Sequence, residues 1–347
     1  QTDNDDMYKI YWEDTKMEFS ATAGTAGGSL KALFEVRDGD NLENFKGKVT
    51  KADSYSLTVE NISIDNIKSL NLPDKDGKIT VNNISYSYDS WEAQVDAQGN
   101  IKSVTFNLSK DKAIADPEKT VAEGYLLNAG SAINARGIPY YMTQLNEFVR
   151  NFSEMFNQIE SKGQNLNGDT PPTFFEAITN TAKVYDFSES EAYSKLPDGQ
   201  TATINSSSNT YYRMTAANFS VNKDVMNDVS LFATSTDYVK TDSCDIVDEL
   251  KKLQSEKTVY RGDKAESFLE TIISNVSVDT EKAETYNKLY SNLEQTIANQ
   301  RTSVSGVDED EEALNLVKFQ YSYNMASKII SVMNQMLDKL INDTGVA

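Results

Sequence analysis

The last 150 residues contain no proline, and within them one apolar seam runs without a fault. Leu316, Phe319, Tyr323, Ala326, Ile330, Met333, Leu337 and Leu340 step by 3,4,3,4,3,4,3. Proline breaks helix interiors, so its absence permits long helices, and this mean spacing of half a heptad predicts a coiled-coil-like seam. Eight apolar residues on one stripe need a partner helix, from this chain or another, because an isolated helix is marginal in water. Upstream, Leu269, Ile272, Val276, Ala283, Tyr286, Tyr290, Leu293 and Ile297 hold a similar seam, interrupted at Asp279. Residues 263–302 are therefore expected to form a long helix of a rod-like domain, and 303–347 an assembly helix. The acidic run Asp308 to Glu312 follows Ser305-Gly306 and reads as helix capping, not as a cation site. Carboxylates there complement exposed backbone N–H groups and the positive end of the helix dipole.

Nearer the N-terminus the period changes. Gly24 to Gly28 reads as a Gly-rich turn before a short helix carrying Leu30, Leu33, Phe34 and Arg37. From Phe45 to Leu108 apolar residues alternate: Tyr55, Leu57, Val59; Ile84, Tyr86, Tyr88; Trp91, Ala93, Val95; Val104, Phe106, Leu108. This predicts a small antiparallel β domain over 45–111 with one wet face, between a start segment 1–44 and a central domain 112–262. After Pro139, Leu145, Phe148, Phe152, Met155 and Ile159 restore a helical step, giving a helix over 139–162 with Gly163 near a C-cap position. A mixed region follows, with strand-like pieces at Tyr211–Met214 and Phe219–Val221. The fold class expected is α+β multi-domain: long C-terminal helices with coiled-coil-like seams, plus a small antiparallel β domain inserted near the N-terminus.

The chain has no histidine and a single cysteine, Cys244. That excludes imidazole-activated nucleophiles, two-His metal sites, disulfides and thiolate zinc clusters. A lone cysteine is more often a small buried hydrophobe. Lys and Arg number 33 against 53 Asp and Glu, a net charge of −20 that argues against nucleic acid or anionic lipid. No segment is apolar for long enough to span a membrane as a helix. Asp74-Lys75-Asp76-Gly77 looks like a calcium loop, but aligning Gly77 on the loop glycine puts Leu72 and Asn83 at the ligand ends, so a hairpin turn is expected. No carboxylate pair is singled out by spacing for glycoside hydrolysis. Trp91, Tyr86 and Tyr88 read either as cross-strand core pairs or as an aromatic ligand platform. No catalytic, cofactor or metal residue is assigned.

The residues also resemble a known family. Asn299-Gln300-Arg301-Thr302-Ser303-Val304-Ser305-Gly306-Val307, Glu311 to Leu314, Phe319 to Ala326 and Ile329 to Asn342 resemble the C-terminal segment of bacterial flagellar axial proteins. Gly27 to Asp38, Ile138-Pro139 leading to Leu145-Asn146-Glu147-Phe148, Phe156-Asn157, Leu166-Asn167-Gly168 and Phe174-Phe175 are similar to motifs of the hook-associated protein 1 family, the hook–filament junction proteins. The resemblance covers about half the chain. It departs in two ways: some 95 residues separate the Arg-Asp and Ile-Pro motifs, which usually lie close together, and the family's N-terminal helix is absent, so a fragment is expected. It implies an extracellular structural subunit exported by the flagellar export apparatus with the help of an export chaperone. That subunit would self-associate in an annular or helical assembly, contacting hook protein and the second junction protein, with no cofactor. In that reading the eight seam residues are the assembly interface. Another axial protein, hook or flagellin, and an adhesin or glycan-binding module on the β domain are the alternatives.

Overall fold

The structure, a computed structural model, describes residues 13–14, 27–73, 77–82, 84–109, 114, 117, 121, 123–130, 132–179, 181–190, 193–239 and 243–343. It is α+β, and its contacts divide the chain into Gln1–Ile272 and Ile273–Ala347. In the first unit, helix α1 (Ser29–Asp38) forms where the short apolar periodicity predicts it, and Gly28 at its N-cap takes φ 87°. Six strands follow: β1 (Phe45–Asp53), β2 (Ser56–Glu60), β3 (Gly77–Val81), β4 (Ile84–Val95), β5 (Ile101–Leu108) and β6 (Leu126–Ala129). They pair antiparallel in the order β3-β6-β1-β2-β5-β4, and β4 pairs back with β3, so the sheet closes into a barrel. Ile79 faces both Tyr86 and Ala129, and Ala129 faces Phe45.

Closure explains a shift of phase in the sequence. Buried positions on β4 are even up to Tyr88 and odd from Trp91, because Asp89 is an extra residue between the pairs Tyr88–Leu108 and Ser90–Asn107. Such a bulge bends the strand, which a barrel of short strands requires. Trp91 and Tyr88 are fully buried and Tyr86 is 6% exposed, with Tyr88 and Phe106 rings 5.1 Å apart, so the three aromatic candidates are interior side chains and form no ligand platform. The barrel replaces the expected sheet with one wet face.

The barrel also overruns the expected boundaries of 45–111. It needs β6 for closure, and strand β8 (Ala202–Asn205) pairs with the second half of β4. Ile204 and Tyr212 complete the same core, with Tyr212 edge-on to Trp91 at 4.9 Å. Tyr211–Arg213 is a tight helical turn, not a strand, whereas Phe219–Val221 is a strand, β9, paired with β7 (Phe175–Ala177).

Helix α2 (Ile138–Glu160) carries Pro139 in its first turn, where no N–H is missed. Its apolar stripe meets α4 (Asp245–Ser255), which follows the single-turn helix α3 (Lys223–Asn227). Phe148, Phe152, Met155 and Phe156 pack there on Ile246 and Leu253. The polar face of α2 is buried more deeply than this stripe. Arg150, 4% exposed, donates to the carbonyls of Leu70 (2.6 Å) and Met214 (2.9 Å) and lies over the Tyr212 ring. Glu147 accepts from the Ser69 hydroxyl at 2.7 Å, and Glu154 pairs with Lys68 at 2.8 Å. Gly163 acts by close packing and not as a left-handed cap, since a Cβ there would stand 2.6 Å from that of Ala233. Cys244 is exposed at the N-cap of α4, contrary to its expected burial. A hairpin of β10 (Thr258–Tyr260) and β11 (Asp263–Lys264) leads into α5 (Ala265–Ser305), and α6 (Glu309–Asp343) ends the described chain.

Candidate assembly interface

Helix α5 runs 41 residues, continuous through Asp279, and stops where the N–H of Gly306 donates to the Thr302 carbonyl at 2.7 Å. Three residues later α6 begins. Asp308 is its cap, accepting from the N–H groups of Asp310 (3.0 Å) and Glu311 (3.3 Å), so the acidic run serves the helix start. No group of metal-ligating side chains occurs among the described residues. Asp74, Asp76 and Asn83 of the calcium look-alike lie outside them.

The 35 residues of α6 make a rod roughly 52 Å long. All eight seam residues lie on it and share one face by the heptad rule, and none is buried. Leu316 is 71% exposed, Phe319 74%, Tyr323 72% and Ile330 58%; Met333, Leu337 and Leu340 are exposed in the same way, and Ala326 with them. The seam carries no charge from Leu316 to Leu340, while Lys318, Lys328, Asp338 and Lys339 project elsewhere on the helix. Burying a Leu, Ile or Phe side chain is worth about 1.5–3 kcal/mol, so an exposed row of them is a strong drive to association.

A second row escaped the reading of the sequence. Met325, Ile329, Val332 and Met336 step by 4,3,4 and are all exposed, on a face about 110° round from the seam. The signal was present in the spacing, but each residue neighbours a seam position in sequence and reads as its continuation. The two rows together give α6 an apolar arc wider than a two-stranded coiled coil uses.

The comparisons fall on this same element. Residues 298–343 match the family described as "Flagellar basal body rod FlgEFG protein C-terminal", a span covering the end of α5 and all of α6. Over 341 residues the chain is 21% identical to "Flagellar hook-associated protein 1" of Bacillus subtilis (strain 168). Both similarities are to flagellar axial and hook-associated proteins. The alignment takes in 96% of this chain and 56% of the relative, so the chain spans about half the length of the curated relative it matches. Among the described residues, no helix is long and apolar enough to cross a membrane.

Proposed function

We propose that this flagellar axial chain is a structural subunit of the junction between hook and filament, assembling through the apolar face of α6 and transmitting torque by subunit packing. The observation that carries the reading is the exposed, uncharged seam on the helix whose span matches the rod family's C-terminal segment. The similarity to a hook-associated protein over nearly the whole chain supports the junction in preference to hook or flagellin. In this reading the chain has no enzymatic activity, works outside the cell after flagellar export, and meets copies of itself, hook protein and the second junction protein, with a chaperone during export. Repeated heterologous contacts between subunits would build the annular or helical zone. The glycan-binding alternative is not favoured, since the aromatic residues that would form its platform are inside the barrel.

The test is complementation of a junction-protein deletion with the full-length gene carrying Ile330→Asp. Loss of motility with unattached flagellin in the medium is the expected outcome. Normal swimming would reject the seam as the assembly element, and absent hooks would point to a rod or hook subunit instead.

A further inference from the structure

Glu176 sits at the centre of β7, opposite Ser220 of β9. Alternation sends its side chain to the face of this ribbon away from Phe175, whose ring packs on Phe156 (4.7 Å) and Phe219 (5.0 Å). Glu176 is 6% exposed, yet no hydrogen bond or ion pair reaches its carboxylate among the described residues. It borders a cavity of about 410 Å³, within the range of ligand sites, walled also by Tyr185, Phe187, Tyr211, Asn157 and Ser161.

Other polar groups of this cavity are committed elsewhere, and Lys195 also lines it. The Asn157 amide donates to the Phe175 carbonyl and the Tyr211 hydroxyl, both at 2.8 Å, and accepts from the Phe175 N–H at 2.9 Å. Asp186 accepts from the N–H (3.0 Å) and hydroxyl (2.7 Å) of Ser188. Glu176 is the carboxylate of this lining that no hydrogen bond or ion pair reaches among the described residues. Burial, and after it the neighbouring Asp224, pushes its proton affinity up, and Lys223 offsets this only in part. A buried carboxylate is costly unless it is neutralised or paired with a cation. The wall beside it is aromatic: Phe187 stacks on Tyr211 at 4.4 Å, and Tyr185 already holds the Arg213 guanidinium over its face at 4.1 Å.

We propose that this cavity receives a lysine or arginine side chain of a partner protein. The charged head meets Glu176 and the alkyl stem lies along the Phe187 and Tyr211 rings. A net charge of −20 draws a basic partner toward the chain in general, and the cavity gives that attraction one address. The site is independent of the α6 seam and does not require the flagellar reading.

The test titrates the 347-residue chain, with Phe and Tyr rings isotope-labelled, against four probes by NMR. They are Nα-acetyl-lysine amide, Nα-acetyl-arginine amide, the uncharged Nα-acetyl-norleucine amide, and methylammonium. Saturable shifts at Phe187 and Tyr211 are expected with the lysine or arginine probe. Binding should be about tenfold weaker in Glu176→Gln, a factor typical of losing one charge-assisted contact. Glu176→Gln keeps the shape and removes a buried charge, so it should fold, and Phe187→Leu should weaken binding through the stem alone. An equal response to norleucine, unchanged affinity in Glu176→Gln, or no saturable shift overturns the proposal. Methylammonium binding as tightly as the lysine probe also overturns it, since a free amine and not a side chain would then be the ligand.

Discussion

Gly39 and Gly137, 98 positions apart, touch backbone to backbone: the N–H of Gly137 donates to the carbonyl of Gly39 at 3.0 Å. The Asn41 N–H reaches the Ala135 carbonyl at 2.9 Å on the next step of this neck. The chain thus leaves α1 and re-enters at α2 through one crossing, and everything between is inserted there. These ends lie close to where the Arg-Asp and Ile-Pro motifs fall. The crossing is too tight for side chains, since a Cβ on Gly39 would meet the Glu35 carbonyl and stand 2.6 Å from that of Ala135.

Gly39→Ala should therefore destabilise the first unit by about 1–3 kcal/mol, the usual range for overpacking. Denaturant unfolding followed by circular dichroism measures this, and an unchanged midpoint would show that the neck can open. Deleting 45–111 should do far more, because it leaves β6 and β8 without the strands they pair with and uncovers Tyr212. Loss of cooperative unfolding is the expected result.

Arg150 ties the barrel to α2 by cross-linking the Leu70 and Met214 carbonyls. Arg150→Met should cost about 2–4 kcal/mol, since two buried carbonyls lose charged donors while the aliphatic volume is kept. Lysine should not restore the loss, having no planar fork to reach both oxygens over the Tyr212 ring. A thermal melt of the two variants side by side decides it: equal stability of Arg150→Lys and wild type would sink the argument.

How much of this was legible depended on the range of the interaction. The α6 seam, α2 and the alternating strands are local periodicities, and the even-to-odd change across Asp89 was visible before its bulge was. Closure of the barrel was not, because β6 is four residues long and meets β1 about 80 positions away; the equally short β8 joins β4 from about 110 positions away. The burial of the polar face of α2 was hidden for a related reason. Glu147, Arg150 and Glu154 look like a wet face in any helical pattern, and only the Leu70 and Met214 carbonyls, Ser69 and Lys68 that meet them make them interior. Glu176 gave no signal, being one of 53 acids until β7 and the loop around Tyr185 enclose it.

Burial lifts Glu160, 1% exposed at the end of α2, from the ordinary 4.5 to about 7, and the Ala233 N–H offsets this only in part. A carboxyl whose folded value is raised adds its full share of stability below the unfolded value and loses it as pH climbs through the folded one. Stability should accordingly fall by about 2–3 kcal/mol between roughly pH 4.5 and pH 8 on account of this group. Glu160→Gln should remove that fall and be the more stable protein at pH 8. Parallel pH profiles for wild type and variant would assign the burial no energetic consequence.

The width of the apolar arc on α6 sets the final prediction. A two-stranded pairing through the eight seam residues, Leu316 to Leu340, would leave Met325, Ile329, Val332 and Met336 in water. Packing within a multi-helix assembly covers both rows. If the chain works at the proposed junction, Ile329→Asp should then impair filament attachment as severely as Ile330→Asp, since each would bury an unpaired charge costing several kcal/mol. Ser331→Asp, one position on and outside both rows, should be tolerated. Motility and filament counts in a complemented deletion strain read all three together. If Ile329→Asp swims like Ser331→Asp, α6 has one partner helix and the second row faces solvent in the assembled flagellum.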